Sequence, residues 1–305
     1  MALLFYLIIN NLMVTYCVKE ICILRRGSTL NVGFVGTGNM GRILIESFIE
    51  SGAIRPSHIY MTNRTKAKAE AIKDIYPETN MMETVEDVVK RSDLLFICVK
   101  PLDIHPLFKK IGHLLTPNKC LLSITSPIRV DQLESLVRCQ VARTIPSITN
   151  RAFSGVSLLT FGSSCNEKMK RTIVELLEQI STPIQIEDDI TRVSSDLVSC
   201  GPAFFSYLLQ KFVNGAVSET TINKDQAILL ASEMIIGMGK LLESEIYTLP
   251  TLQEKVCVTG GVTGKGIEVL EEGVGDMFEK VFRVTHQKYY EDIEEVSLQF
   301  NKNLK

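Results

Sequence analysis

The stretch VGFVGTGNMG, residues 32–41, decides the fold of the first half of the chain. Its apolar beginning is typical of a buried strand. The residues that follow, MGRILIESFIESG, have apolar side chains at helical spacing and end in glycine. Between strand and helix lies a complete G-x-G-x-x-G pattern in the context that a dinucleotide-binding turn requires. The stretch therefore predicts a Rossmann-type nucleotide site.

Each glycine of this turn has a physical role. Gly36 permits the tight turn, Gly38 lets the backbone approach a pyrophosphate, and Gly41 lets the helix pack closely on the strand. The start of the helix offers unpaired N–H groups and a partial positive charge to phosphate. The alternative is a glycine-rich turn without a ligand. The predicted cofactor contacts are Gly36, Thr37, Gly38, Asn39, Met40 and Gly41.

The end of the second predicted strand, HIYMTN, indicates which dinucleotide binds. NAD-preferring sites carry a carboxylate there for the ribose 2′-hydroxyl. This chain has Asn63, Arg64 and Thr65 instead. A guanidinium suits a 2′-phosphate, and the flanking residues offer neutral donors. We therefore predict NADP, with NADPH preferred over NADH. The alternative is that Arg64 only faces solvent.

The next strongly apolar segment, DLLFICV, predicts a third strand, which ends at Val99, Lys100 and Pro101. Ligands of open α/β sheets bind at the carboxyl edge of the strands. These residues are therefore expected beside the cofactor, with a solvent-facing lysine as the alternative for Lys100.

Short apolar runs alternate with amphipathic stretches from residue 30 to Asp189, and long helical runs follow. This order predicts an α/β protein: a doubly wound Rossmann-type sheet over 30–189, then an all-helical domain over 190–305. The run DQAILLASEMIIGMGKLLES is apolar on too many sides for a lone surface helix. We expect the helical domain to form a homodimer or higher homo-oligomer. The alternative is a helical layer that packs only on its own sheet domain.

Residues 1–29 are a separate amino-terminal extension. Their first apolar run, ALLFYLII, is too short to span a bilayer, and it lacks the features of a secretory signal. One hypothesis is a mis-assigned start, in which untranslated leader is read as protein. The alternative is a short membrane-associating arm.

Composition limits the function classes. The formal net charge is -2 over 305 residues, which gives no electrostatic case for nucleic acid. None of the eight cysteines forms a C-x-x-C pair, and no Cys/His spacing fits a zinc site. We expect no metal, no membrane partner, reduced thiols and a cytoplasmic location.

Six segments in order carry a family resemblance: GFVGTGNMG, NRT, CVKP, TIPSITN, SCGPAFF and GGVTGKG. Together they resemble pyrroline-5-carboxylate reductase across residues 30 to 290. The resemblance implies a Rossmann domain, a helical dimerisation domain and NADPH-dependent reduction of a cyclic imine to proline. The protein then mainly positions the reactants, because a protonated imine is already electrophilic.

The resemblance also implies a substrate site in the helical half. The glycine-rich loop falls on Gly260, Gly261 and Thr263, whose N–H groups and hydroxyl would bind the substrate carboxylate. A GPA element falls on Gly201 and Pro202, where it interrupts a helix. The alternative for that proline is a packing kink. Thr263 and Lys100 are the candidate catalytic residues.

Departures from the family pattern concentrate in the substrate half. Where the family has S-P-G-G-T-T, this chain has VTGGVT at 258–263, so a proline and one threonine are lost. Lys265 is a further candidate cation near the carboxylate. The departures are most similar to the ComER branch, the late-competence proteins. They leave open a regulatory protein that binds NADP with little catalysis.

A second rival is a β-hydroxyacid dehydrogenase. That chemistry needs a lysine on the first long helix after the sheet, with an asparagine four residues later. Here Lys211 is followed by Asn214 at the third place, which is a near miss.

Overall fold

The computed structural model describes residues 30–301. The extension at 1–29, with both hypotheses about it, lies outside the described residues, as do residues 302–305.

One sheet organises the first half of the described chain. Its eight strands lie in the order β3-β2-β1-β4-β5-β6-β7-β8. Every pairing is parallel except that of β6 with β7. The strands are β1 (Val32–Val35), β2 (Ile59–Thr62), β3 (Asn80–Met81), β4 (Leu94–Ile97), β5 (Cys120–Ser123), β6 (Gln140–Ile145), β7 (Val156–Phe161) and β8 (Thr182–Gln185). The predicted Rossmann-type sheet is confirmed.

Helices follow most strands of the sheet. They are α1 (Asn39–Glu50), α2 (Lys66–Ile75), α3 (Val85–Arg91), α4 (Pro101–Ile111), α5 (Val130–Glu134) and α6 (Glu167–Leu177). Short 3-10 turns include Ile148–Ala152 and Asp188–Ile190.

The central strands β1, β4, β5 and β6 are buried on both faces, as parallel sheets require. Side chains of β1 and β4 alternate between two apolar clusters, because successive residues of a strand point to opposite faces. Phe34 and Phe96 belong to the first cluster, with ring centroids 5.0 Å apart. Val35 and Ile97 belong to the second cluster, where Phe108 of α4 packs.

Two strand predictions needed correction. DLLFICV is the fourth strand in the chain, since the two-residue β3 precedes it at the sheet edge. So short a strand leaves no periodicity to detect. The apolar stretch IQIE at 184–187 predicts a last strand, which lies slightly earlier, at Thr182–Gln185. It contains Pro183, which an edge strand tolerates because no neighbour needs its missing N–H group.

Helices fill the rest of the described chain. They are α7 (Thr191–Ser195), α8 (Gly201–Glu219), α9 (Lys224–Glu243), α10 (Leu249–Val256), α11 (Val262–Val274) and α12 (Met277–Asn301). A wide π-helical turn at Asp196–Cys200 separates α7 from α8. It lies just before Gly201 and Pro202, where the sequence predicts a break. The predicted all-helical half is confirmed.

The described residues form two compact units. The first runs to Ser199 and takes in the residues from Tyr289 onward, and the second is Cys200–Lys288. The last helix, α12, therefore begins in the second unit and ends in the first. The domain boundary near residue 189 stays a prediction.

The second unit has a small core of its own. Val213, Ala227 and Ala231 are buried, whereas large apolar side chains such as Phe212 and Leu230 are mostly exposed. An apolar surface of this kind is typical of protein interfaces.

A buried arginine joins the sheet to the start of the helical segment. Arg143 of β6 is 1% exposed. Its Nη1 donates to the carbonyl oxygens of Ser126 and Ile128, at 3.2 and 3.4 Å. Its Nη2 donates to hydroxyls of Thr160 and Thr191 and to the Asp188 carboxylate. The distance to Asp188 Oδ1 is 2.8 Å.

Removing this guanidinium tests the fold. We expect Arg143→Ala to lower the free energy of unfolding by about 3 kcal/mol, because the Asp188 carboxylate and the other buried acceptors would lose their donor. The exposed Arg138 is the matched control, and its replacement by alanine should change stability by less than about 0.5 kcal/mol. Urea unfolding followed by circular dichroism measures both, and equal midpoints for the two variants would contradict this account.

Candidate functional site

The glycine-rich turn is packed so tightly that two of its positions exclude a side chain. Gly36 has φ 102°, and a Cβ there would overlap the carbonyl oxygen of Cys98. A Cβ on Gly41 would overlap the carbonyl oxygen of Gly36. The Gly36 N–H group also donates to the Thr62 carbonyl at 2.9 Å. The turn is thereby fixed between the carboxyl ends of β2 and β4.

The start of α1 is open in the way that a phosphate site requires. Gly38 is the N-cap residue, so no side chain accepts hydrogen bonds from the first turn, and that turn has no acidic residue. A Cβ on Gly38 would meet nothing within 4 Å. Asn39 and Met40 begin the helix. Their backbone and that of Gly41 fit a bound pyrophosphate.

Thr37 and Asn63 connect the turn to the end of β2. The Thr37 N–H group donates to Asn63 Oδ1 at 2.9 Å, and Asn63 Nδ2 donates to the Thr65 carbonyl at 2.9 Å. Asn63 therefore positions the turn, a role that the sequence analysis missed. Thr37 Oγ1 is buried and has no hydrogen-bond partner within residues 30–301. A ligand would satisfy it.

The cysteine beneath the turn stays neutral. Desolvation raises the pKa of the Cys98 thiol well above its ordinary value. The thiol therefore remains protonated at physiological pH, and no thiolate opposes an anion bound at the turn.

A cleft of about 400 Å³ lies beside the predicted 2′-phosphate position. Arg64, Lys100 and Pro101 line it. The Arg64 side chain is 85% exposed, and its Nη1 is 3.9 Å from Asp103 Oδ1. Lys100 is the N-cap residue of α4. The half-buried Val99 precedes Lys100, and the exposed Thr65 is the N-cap of α2.

Asp292 and Glu295 of α12 line the same cleft. No motif points to these two residues, because they lie far from the motifs along the chain.

The predicted substrate loop has its own geometry in the second unit. Gly260 has φ 75°, and Gly261 is the N-cap of α11, with its N–H group donating to the Val258 carbonyl at 2.9 Å. Thr263 is half-buried in the first helical turn, which carries no acidic residue. This is a second helix start suited to an anion. Lys265 Nζ instead pairs with Glu268, at 2.8 Å.

Two hydroxyls connect segments that the sequence analysis treated separately. Ser147 Oγ donates to the Val198 carbonyl at 2.7 Å, and Ser199 Oγ donates to the Pro146 carbonyl at 2.9 Å. These bonds hold the TIPSITN segment against the π-helical turn that precedes Gly201 and Pro202.

Other candidate chemistries have less support. Lys211, which the dehydrogenase rival needs as an acid, lies with its Nζ over the Tyr207 ring of the same helix, 5.3 Å from the centroid. Between residues 30 and 301, no group of three or more His, Cys, Asp or Glu could hold a metal ion. Over the same range, no helix is both long and apolar enough to cross a bilayer. The six described cysteines carry free thiols.

Two family models match separate parts of the chain. Residues 31–127 match the model described as NADP oxidoreductase coenzyme F420-dependent. Residues 187–292 match the model described as pyrroline-5-carboxylate reductase dimerisation.

Two curated relatives come from Bacillus subtilis. ComE operon protein 4 is 60% identical over 272 residues, which cover 89% of this chain and 100% of the relative. Pyrroline-5-carboxylate reductase 3 is 27% identical over 85% of this chain and 95% of its own length.

Solved structures share the fold. The Plasmodium falciparum pyrroline carboxylate reductase with NADP bound superposes with a TM-score of 0.75 at 17% identity, over 89% of this chain and 98% of that one. The Coxiella burnetii pyrroline-5-carboxylate reductase also gives 0.75, at 19% identity, over 89% and 99% of the two chains. From the 60% identity and the dimerisation model, the chain belongs to the pyrroline-5-carboxylate reductase family, in its ComER branch.

Proposed function

We propose that this protein is an NADPH-dependent reductase that converts 1-pyrroline-5-carboxylate to L-proline. The observation that carries the proposal is the open, uncapped start of α1 behind a turn that only glycine can form. Membership of a family of NADP-dependent reductases supports it, as does the NADP bound in the Plasmodium falciparum relative.

The chain's own residues account for cofactor binding. The backbone from Gly38 to Gly41 would hold the pyrophosphate, and Thr37 Oγ1 would gain its missing hydrogen bond. Arg64 and Lys100 would hold the 2′-phosphate end, where no carboxylate follows β2. When bound, NADPH supplies the hydride.

The start of α11 is the proposed substrate site. The Gly260 N–H group and the first-turn N–H groups that follow Gly261 would face the substrate carboxylate, and Thr263 would add a hydroxyl. Gly201 and Pro202 would contact the substrate from the start of α8. These groups orient the imine for reduction, and none of them must donate a proton to it.

A homodimer or higher homo-oligomer is part of the proposal. The dimerisation model spans most of the helical half. The exposed apolar side chains there would be buried at an interface with a second copy of the chain. A cytoplasmic location fits the free thiols.

A second candidate function is regulation. The identity to ComE operon protein 4 and the departures from the family's substrate loop favour a protein of a competence pathway that binds NADP and catalyses little.

One assay separates these functions. Purified protein is mixed with NADPH and pyrroline-5-carboxylate, and the loss of NADPH absorbance is followed. Turnover on the order of 10 per second supports the reductase. Tight NADPH binding with turnover a thousandfold lower supports the regulator, and absence of NADPH binding refutes both.

Gly38 and Gly41 of the turn predict different phenotypes when each is replaced by alanine. Gly38→Ala should keep the stability of the fold, because its Cβ meets nothing, but weaken NADPH binding by about tenfold or more. Gly41→Ala should destabilise the fold, because its Cβ overlaps a carbonyl oxygen. Thermal unfolding and NADPH fluorescence titration measure the two effects. Unchanged NADPH affinity in Gly38→Ala would argue against a phosphate at this helix start.

Arg64 should determine the preference for the phosphorylated cofactor. We expect Arg64→Ala to weaken NADPH binding by about tenfold and to leave NADH binding unchanged, since only NADPH carries the 2′-phosphate. The exposed Arg55 is the control, and Arg55→Ala should affect neither cofactor. Equal losses for both cofactors would contradict the assignment.

Replacing Thr263 should affect the kinetics with the substrate and leave cofactor binding unchanged. Thr263→Ala should raise KM or lower kcat for pyrroline-5-carboxylate by about tenfold, because it removes one hydrogen bond to the substrate. Thr263→Ser, which keeps the hydroxyl, should recover most of the activity. A Thr263→Ala variant with the kinetics of the unaltered protein would remove this residue from the site.

A further inference from the structure

The cleft at the predicted 2′-phosphate position contains more acidic than basic side chains. Arg64 and Lys100 are its cations, and Asp103, Asp292 and Glu295 are its carboxylates. A phosphate bound beside Arg64 would bring roughly one and a half to two further negative charges. The cleft therefore attracts a 2′-phosphate less than its arginine alone suggests.

The segment of α12 that carries the two carboxylates is held at the cleft by apolar side chains that pack into the sheet core. Val296, which follows Glu295 and also lines the cleft, is 1% exposed and belongs to the second core cluster of the sheet. Phe300, one turn further on, packs against the same cluster, and its ring lies 5.4 Å from that of His105 in α4. Asp292 and Glu295 are three residues apart, so they lie on one face of the helix.

A third anchor, Tyr289, lies on α12 one turn before Asp292. Tyr289 donates from its hydroxyl to the Ser126 carbonyl at 3.2 Å, and the Arg192 guanidinium lies 5.7 Å from the centre of its ring. The acidic pair is therefore held within the first unit from both sides along the helix.

From these contacts we infer that Asp292 and Glu295 determine cofactor selectivity: they weaken the binding of 2′-phosphorylated dinucleotides and narrow the preference for NADPH over NADH. The inference rests on the proposed function, since it concerns the same dinucleotide site. It adds that a helix distant in the sequence opposes the preference that Arg64 creates. Like charges near a bound anion act this way most strongly at low ionic strength.

Equilibrium binding tests the inference without catalysis. Dissociation constants for NADPH and NADH are measured by fluorescence titration at about 50 mM salt, for the unaltered protein and for Asp292→Asn/Glu295→Gln. The double variant should bind NADPH about threefold to tenfold more tightly and NADH with unchanged affinity. The gain should shrink at about 500 mM salt.

The matched control is Glu291→Gln/Glu294→Gln. It makes the same change in net charge on the same helix, but neither residue lines the cleft. The control should leave NADPH affinity unchanged, and circular dichroism should show that both variants are folded.

The outcomes separate this inference from the proposed function. If the unaltered protein binds NADPH and the Asp292→Asn/Glu295→Gln variant binds it no more tightly, the inference is overturned and the proposed function stands. An equal gain in the control also overturns it, because net charge would then be the cause. If neither protein binds NADPH, both the inference and the proposed function fail.

Discussion

The close approach of backbone to backbone around Gly36 is the constraint on which the site depends. A Cβ on Gly36 would overlap the carbonyl oxygen of Cys98, just after β4, and a Cβ on Gly41 would overlap the carbonyl oxygen of Gly36. Helix α1 can therefore begin directly above the sheet, with its first N–H groups facing open space. The ends of β2 and β4 then place Arg64 and Lys100 on either side of that helix start.

Electrostatics around this helix start favours an anion. Its first turn has no acidic residue, Asn63 uses its amide to hold Thr37, and the Cys98 thiol is kept protonated because desolvation raises its pKa. The cleft next to it carries negative charge, from Asp103 and from the end of α12.

Much of this arrangement could be predicted from the sequence, because it is local. The strand, turn and helix at residues 32–50 follow from apolar spacing and three glycines, and the sheet and helical halves follow from the change in periodicity after Asp189. Contacts between distant segments could not be predicted. Neither Val296 packing into the sheet core nor Ser147 bonding to Val198 leaves a periodic signal, and β3 is too short to have one.

The last helix makes the first unit discontinuous in the chain. Val296 fills a position in the core of the sheet, yet it leaves the ribosome only after the entire helical unit has been made. The core of the sheet therefore lacks the Val296 and Phe300 side chains until the residues after the second unit have been made. Completion of the cleft that Arg64 and Lys100 line thus depends on residues that are made after the whole second unit.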